Sequence, residues 1–92
     1  MKKVVFLPSF TRSIHKLTHE DQKRIKESLE KFSRFVYFSQ LQHGFRFKKL
    51  DNDLYEFRAG LRLRVIVEVS LDTYYLVMAA HHDEVKRYLR NY

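Results

Sequence analysis

The stretch LYEFRAGLRLRVIVEV, residues 54–69, decides the fold. Its first five residues alternate apolar and polar, Ala59-Gly60 reads as a tight turn, and the alternation then resumes. Leu63, Val65, Val67 and Val69 fall on one side, and Arg62, Arg64, Ile66 and Glu68 on the other. Successive side chains of a strand point to opposite faces, so this is the pattern of two strands with distinct sides. Two such strands joined by a short turn form an antiparallel hairpin. Leu71-Asp72-Thr73 marks the next turn. Residues 74–80 form a third strand that is almost wholly apolar, which suits the interior of a sheet.

Upstream, residues 2–7 carry Val4, Val5 and Phe6 and read as a short strand closed by Pro8, which has no N–H for a ladder. Ser9 is the expected cap of a first helix with Phe10, Ile14 and Leu17 along one face. Thr18 is the expected cap of a second, with Asp21 giving a box-like start. Ile25, Leu29, Phe32 and Val36 then predict an amphipathic helix of about four turns. The short link around Leu17-Thr18 makes the two a helical hairpin. Residues 35–47 are aromatic and irregular, with Gly44 as a turn signal. Downstream, Asp83 or a neighbour starts a last helix, with Val85, Tyr88 and Leu89 on its apolar side and Arg87 and Arg90 near its C-terminus.

The order β-α-α-β-β-β-α predicts one α+β domain over residues 1–92. The helical hairpin covers one face of an antiparallel sheet, and a short helix closes the chain. The first strand is expected at a sheet edge or beside the last strand. The other face of the sheet is expected to be open and mostly cationic.

The charge balance bears on partners. Eighteen Lys and Arg against eleven Asp and Glu give +7, with ten basic and four acidic residues in 1–46 but eight and seven in 47–92. Eight Phe and six Tyr accompany them. Cations meet phosphates and rings stack on bases, so the mixture points to nucleic acid. The chain has no cysteine, which excludes disulfides and thiolate metal sites and fits a reducing compartment. The apolar run at residues 4–7 falls short of the roughly 7–15 of a signal peptide and the roughly 20 of a membrane span. A cytoplasmic protein with no membrane segment is therefore expected.

Within the hairpin, Arg62 and Arg64 lie two apart and are expected on one face, facing Glu56 and Arg58 of the preceding strand. Lys48 and Lys49 come just before, and His81 and His82 end the last strand. Guanidinium and imidazole groups so gathered suit a phosphodiester. Adjacent histidines point to opposite sides, so at most one faces a common site. Their spacing is also wrong for a helix-borne metal pair, and no metal or cofactor is expected. A plainer reading also holds: strand arginines commonly pair with carboxylates such as Glu56 or Glu68. Tyr55, Tyr74 and Tyr75 fit the core, and His15, His19 and His43 the surface. No glycine-rich phosphate loop, paired-carboxylate motif or Ser/His/Asp spacing is present.

LYEFRAGLRLRVIVEV, a short turn and a hydrophobic strand ending AAHHDEVKRYL together resemble the RelE/ParE superfamily of bacterial toxins. The resemblance extends over nearly the whole chain. It implies ribosome-dependent cleavage of mRNA at the A site, by attack of a ribose 2′-hydroxyl on the adjacent phosphate without metal. Arg64 matches the family's strand arginine through RVIVEV, with Arg62 the nearby alternative. Glu56, in YEFR, would orient an arginine or act as base, and His81 or His82 would stand at the catalytic end of the last strand. Lys48, Lys49, Arg58 and Tyr88 would contact RNA. The resemblance also implies a cognate antitoxin, acidic or amphipathic, covering the sheet groove or the exposed surface of the hairpin, with a toxin–antitoxin heterotetramer as one assembly. Many relatives have a tyrosine soon after the acidic pair of the last helix. Here Lys86 follows Val85, and Tyr88 comes two residues later. Alternatives are therefore a ParE-like inhibitor of DNA gyrase without enzymatic activity, and a non-toxic RNA-binding relative.

Overall fold

A computed structural model describes residues 3–38 and 45–92. Residue 2 of the expected first strand, His43 and the turn at Gly44 lie outside the described residues. The elements are β1 (Lys3–Phe6), α1 (Pro8–His15), α2 (His19–Phe38), β2 (Lys48–Asp51), β3 (Leu54–Arg58), β4 (Leu63–Val69), β5 (Thr73–His81) and α3 (His82–Arg90). They form one sheet in the order β1-β5-β4-β3-β2. β1 runs parallel to β5, and the other pairs are antiparallel. The expected α+β order is present, with β1 both at an edge and beside the last strand. The addition is β2, a short edge strand. Three of its four side chains are charged, so it shows no alternation.

Leu63, Val65 and Val67 face the helical hairpin, as their alternation required. Phe32 of α2 stacks on Phe57 of β3 at 4.9 Å and meets Tyr74 edge-on at 5.4 Å. Phe45 and Phe47 fill in beside them. These rings form the core, and the base-stacking role inferred from composition does not fall to them. The large exposed rings among the described residues are Phe6, Tyr37, Phe38 and Tyr92.

The second face corrects the expectation of an open surface. α3 lies on it, and Val85, Tyr88 and Leu89 pack with Leu54, Ile66, Val77 and Ala80. Ile66 and Leu54 are apolar positions on the nominally polar side, and burying them needs a cover.

Ser9 does not cap α1. Leu7 is the N-cap and Pro8 takes the first helical position, where its missing N–H costs nothing. Ser9 instead donates from Oγ to the Val77 carbonyl at 2.7 Å, and the Ala79 N–H donates to Ser13 Oγ at 2.9 Å. β1 pairs with β5 only as far as Leu76. Beyond it, two serines one helical turn apart serve the outer edge of β5, where Val77 is the bulged residue. Thr18 does cap α2, accepting the Asp21 N–H at 3.1 Å. The Asp21 carboxylate closes no box; it turns to Arg24 at 2.9 Å. α2 runs for 20 residues, longer than the four turns expected. Among the described residues, no helix is long and apolar enough to cross a membrane.

Candidate nucleic-acid interface

The β3–β4 connection is a four-residue loop, wider than the turn expected at Ala59-Gly60. The Ala59 N–H donates to the Leu63 carbonyl at 2.9 Å. Arg58 stands opposite Arg64 and Glu56 opposite Ile66. The strands therefore bring Glu56, Arg58 and Arg64 together. Arg64, however, is only 8% exposed, a correction to its expected place on an open surface. Nη1 of Arg64 donates to the carbonyls of Gly60 at 3.3 Å, Leu61 at 3.1 Å and Leu63 at 3.3 Å. Its Nε lies 3.6 Å from Glu56 Oε2, and Glu56 is itself largely buried. Burial lowers the Arg64 pKa, as does the neighbouring Arg58 charge, while Glu56 opposes them. A guanidinium stays protonated even so.

Arg62 is exposed and lies in the loop, one residue before β4. Its carbonyl accepts the His82 N–H at 2.8 Å, tying the loop to the start of α3. Two adjoining hollows share its side chain. One contains Asp21, Arg24, Gly60 and His81; the other contains His81, His82, Asp83 and Arg87. His81 Nε2 lies 3.3 Å from Asp21 Oδ2, and His82 Nε2 lies 3.0 Å from Asp83 Oδ1. The two imidazoles thus reach carboxylates on different elements, α2 and α3. Neither pair has a third such partner: among the described residues, no three metal-ligating side chains converge.

A smaller hollow lies at the β2 edge, lined by Arg46, Lys48, Glu56, Phe57 and Arg58. Lys48 pairs with Glu56 in register, whereas Lys49 pairs with Tyr55 and so projects from the opposite face. Tyr88 stands apart from the histidines. It is half-buried under α3, next to a hollow with Met78, Asn91 and Tyr92. Burial raises its pKa, with Tyr92 and Glu68 adding to the shift.

The structure thus brings Arg62, His81 and His82 to one end of the sheet and places Glu56, Arg58, Arg64 and Lys48 beside it. Arg24, Arg46 and Arg87 join these groups and were not singled out from the sequence. Arg24 lies on α2 outside its apolar stripe, and the sequence marks Arg87 only as a cation near the C-terminus of the last helix. Arg46 sits in a stretch without periodicity.

No protein-family model matches the sequence, and no curated protein matches it significantly. Solved structures do match its shape. The RelB–RelE antitoxin–toxin complex from Methanococcus jannaschii contains a chain with a TM-score of 0.69 and 21% identity, covering 91% of this chain and 96% of that one. The DinJ–YafQ complex of E. coli gives a TM-score of 0.67 at 10% identity, covering 92% and 98%. The YoeB dimer from Staphylococcus aureus gives 0.64 at 17%, covering 88% and 97%. The chain has a RelE-like toxin fold.

Proposed function

We propose that this chain is the toxin of a type II toxin–antitoxin pair and that it stops translation by cutting mRNA in the ribosomal A site. The supporting observation is the open end of its RelE-like fold, where exposed Arg62 lines two adjoining hollows, one with His81 and Arg24 and the other with His81, His82 and Arg87. A guanidinium beside imidazoles suits the scissile phosphate, because charge-assisted hydrogen bonds to phosphate are strong and directional. The ribose 2′-oxygen attacks phosphorus, the bond to the 5′-oxygen breaks, and a cyclic phosphate and a 5′-hydroxyl remain. A base takes the 2′-proton and an acid protonates the departing oxygen, with His81, His82 and Glu56 as the candidates. Arginine stabilises the charge that builds on the phosphate. Lys48 and Arg58 hold neighbouring phosphates of the message, and Lys49, on the opposite face, is left to meet ribosomal RNA. Tyr88 serves only if the RNA reaches along α3.

The proposed partner is an antitoxin with an amphipathic segment. The structural neighbours include antitoxin–toxin complexes. The groove between α1 and α2, about 490 Å³, has Phe6, Phe10, Ile14, Ile25 and Leu29 along it, an apolar seat beside the end of β1. A heterotetramer and a cytoplasmic location accompany this reading.

One observation favours a second reading. Each histidine already faces a carboxylate, and Lys86 stands where many relatives have a tyrosine. This fits a toxin that binds gyrase without catalysis. Inducing the chain alone in bacteria separates the two. The first reading expects growth arrest with fragmented messages and normal supercoiling. Intact messages with lost supercoiling favour the second, and undisturbed growth at full soluble expression sinks both.

A further inference from the structure

Arg58 and Arg64 face each other across the hairpin but differ in surroundings. Arg58 is exposed, whereas Arg64 is buried with Nη1 against the carbonyls of Gly60, Leu61 and Leu63 and Nε towards Glu56. Three carbonyls reach one nitrogen because the chain from 60 to 63 curls around it. Without the guanidinium, the Gly60 and Leu61 carbonyls would depend on water, while that of Leu63 would keep the Ala59 N–H. The same loop is held at two other points, Ala59 N–H to the Leu63 carbonyl and His82 N–H to the Arg62 carbonyl. Gly60 lies against α2, where a Cβ would make an ordinary contact with Arg24 Cδ at 3.4 Å. Arg62 projects from this fixed loop into the two hollows that hold the histidines.

We propose that Arg64 is a positioning residue that keeps the loop of residues 59–63 closed, and that Arg62 is the arginine that touches an RNA phosphate. The second half rests on the RNA reading given above; the first half is a property of the free protein. Lysine is a poor substitute at position 64. Its ammonium is a point charge and lacks the planar fork that serves Glu56 and the carbonyls together.

Amide hydrogen exchange on the free protein tests the first half. Arg64→Lys is expected to lose roughly tenfold of the protection at the Ala59 and His82 amides, by local opening, while Arg62→Lys leaves both unchanged. Unaltered protection in Arg64→Lys overturns the inference. Salt titration of binding to a short single-stranded RNA tests the second half. Removing one cation from a phosphate flattens the slope of log Kd against log salt by about 0.7. Arg62→Gln should show one such step, and Arg62→Gln with Arg64→Gln together no more than that one. A decrease of about 1.4 in the double variant means that both arginines touch phosphate. Should the Arg64 variants fail to fold, the Nε–H signals of the unmodified protein decide. Arg62 is expected to shift and saturate with RNA while Arg64 stays still, and the reverse overturns the assignment. If the unmodified protein binds no RNA, the functional reading and the Arg62 assignment fall together, and the exchange result still judges the loop.

Discussion

Under α1 and α2 the sheet buries Phe10, Phe32, Phe45 and Phe57 against Leu63, Val65, Val67 and Leu76. Under α3 it buries Leu54, Ile66, Val77, Ala80 and Val85, with Tyr88 at the margin. The first face is a thick aromatic core, and each buried large side chain adds about 1.5–3 kcal/mol. The second is thin, and beside it on the same face lie Glu56, Arg58, Arg64 and Lys48. A RelE-like sheet therefore has one side committed to stability. The other side is only partly covered and has room at its end for exposed cations.

The largest effect that would break this comparison is expected in the thick core. Phe32→Ala should destabilise the protein by about 3–5 kcal/mol, read as a lower urea midpoint at an unchanged m-value. A shift no larger than that of a surface substitution would deny the core its role. Ser13→Ala is expected next, at about 1–3 kcal/mol, because it removes the partner of the Ala79 N–H on the outer edge of β5. On the thin face, Ile66→Val should cost only about 0.5–1.5 kcal/mol by the same measurement.

The smallest effect concerns pH. Burial raises the pKa of Tyr74 on one face and of Tyr88 on the other above the ordinary phenol value of 10.0. A raised phenol pKa means that the folded state holds its proton after the unfolded chain has released it. Stability should be whole below about pH 10 and fall as pH climbs from there through the folded values. Tyr88→Phe should flatten that decline, measured as melting temperature against pH; an identical profile would show that Tyr88 ionises as freely folded as unfolded.

Much of this architecture is legible in residues 54–80, because alternation assigns each side chain a face and the chain has few turn residues to misplace. The faces of Arg64 and Ile66 were legible for that reason. The burial of Arg64 was not, since alternation says nothing of which element covers a face or where a loop curls. β2 carries no strand signal in the sequence, because Lys48, Lys49 and Asp51 hide any apolar rhythm. Ser9 misled as a cap because Pro8 fits the first helical position so well that the cap moves back to Leu7. At the candidate site, adjacency suggests that only one of His81 and His82 can face a common hollow, yet both line one with Arg62, because β5 ends at His81 and His82 already begins α3. Arg24 and Arg87 did not emerge, because each reaches the hollows around Arg62 through tertiary packing and carries no local signature.

The most direct measurement is primer extension on mRNA held in programmed ribosomes after adding the purified protein. A cut within the A-site codon is expected, absent in Arg62→Gln while that variant keeps its melting temperature. Full-length message at stoichiometric protein, or undiminished cutting by Arg62→Gln, would contradict the proposed chemistry.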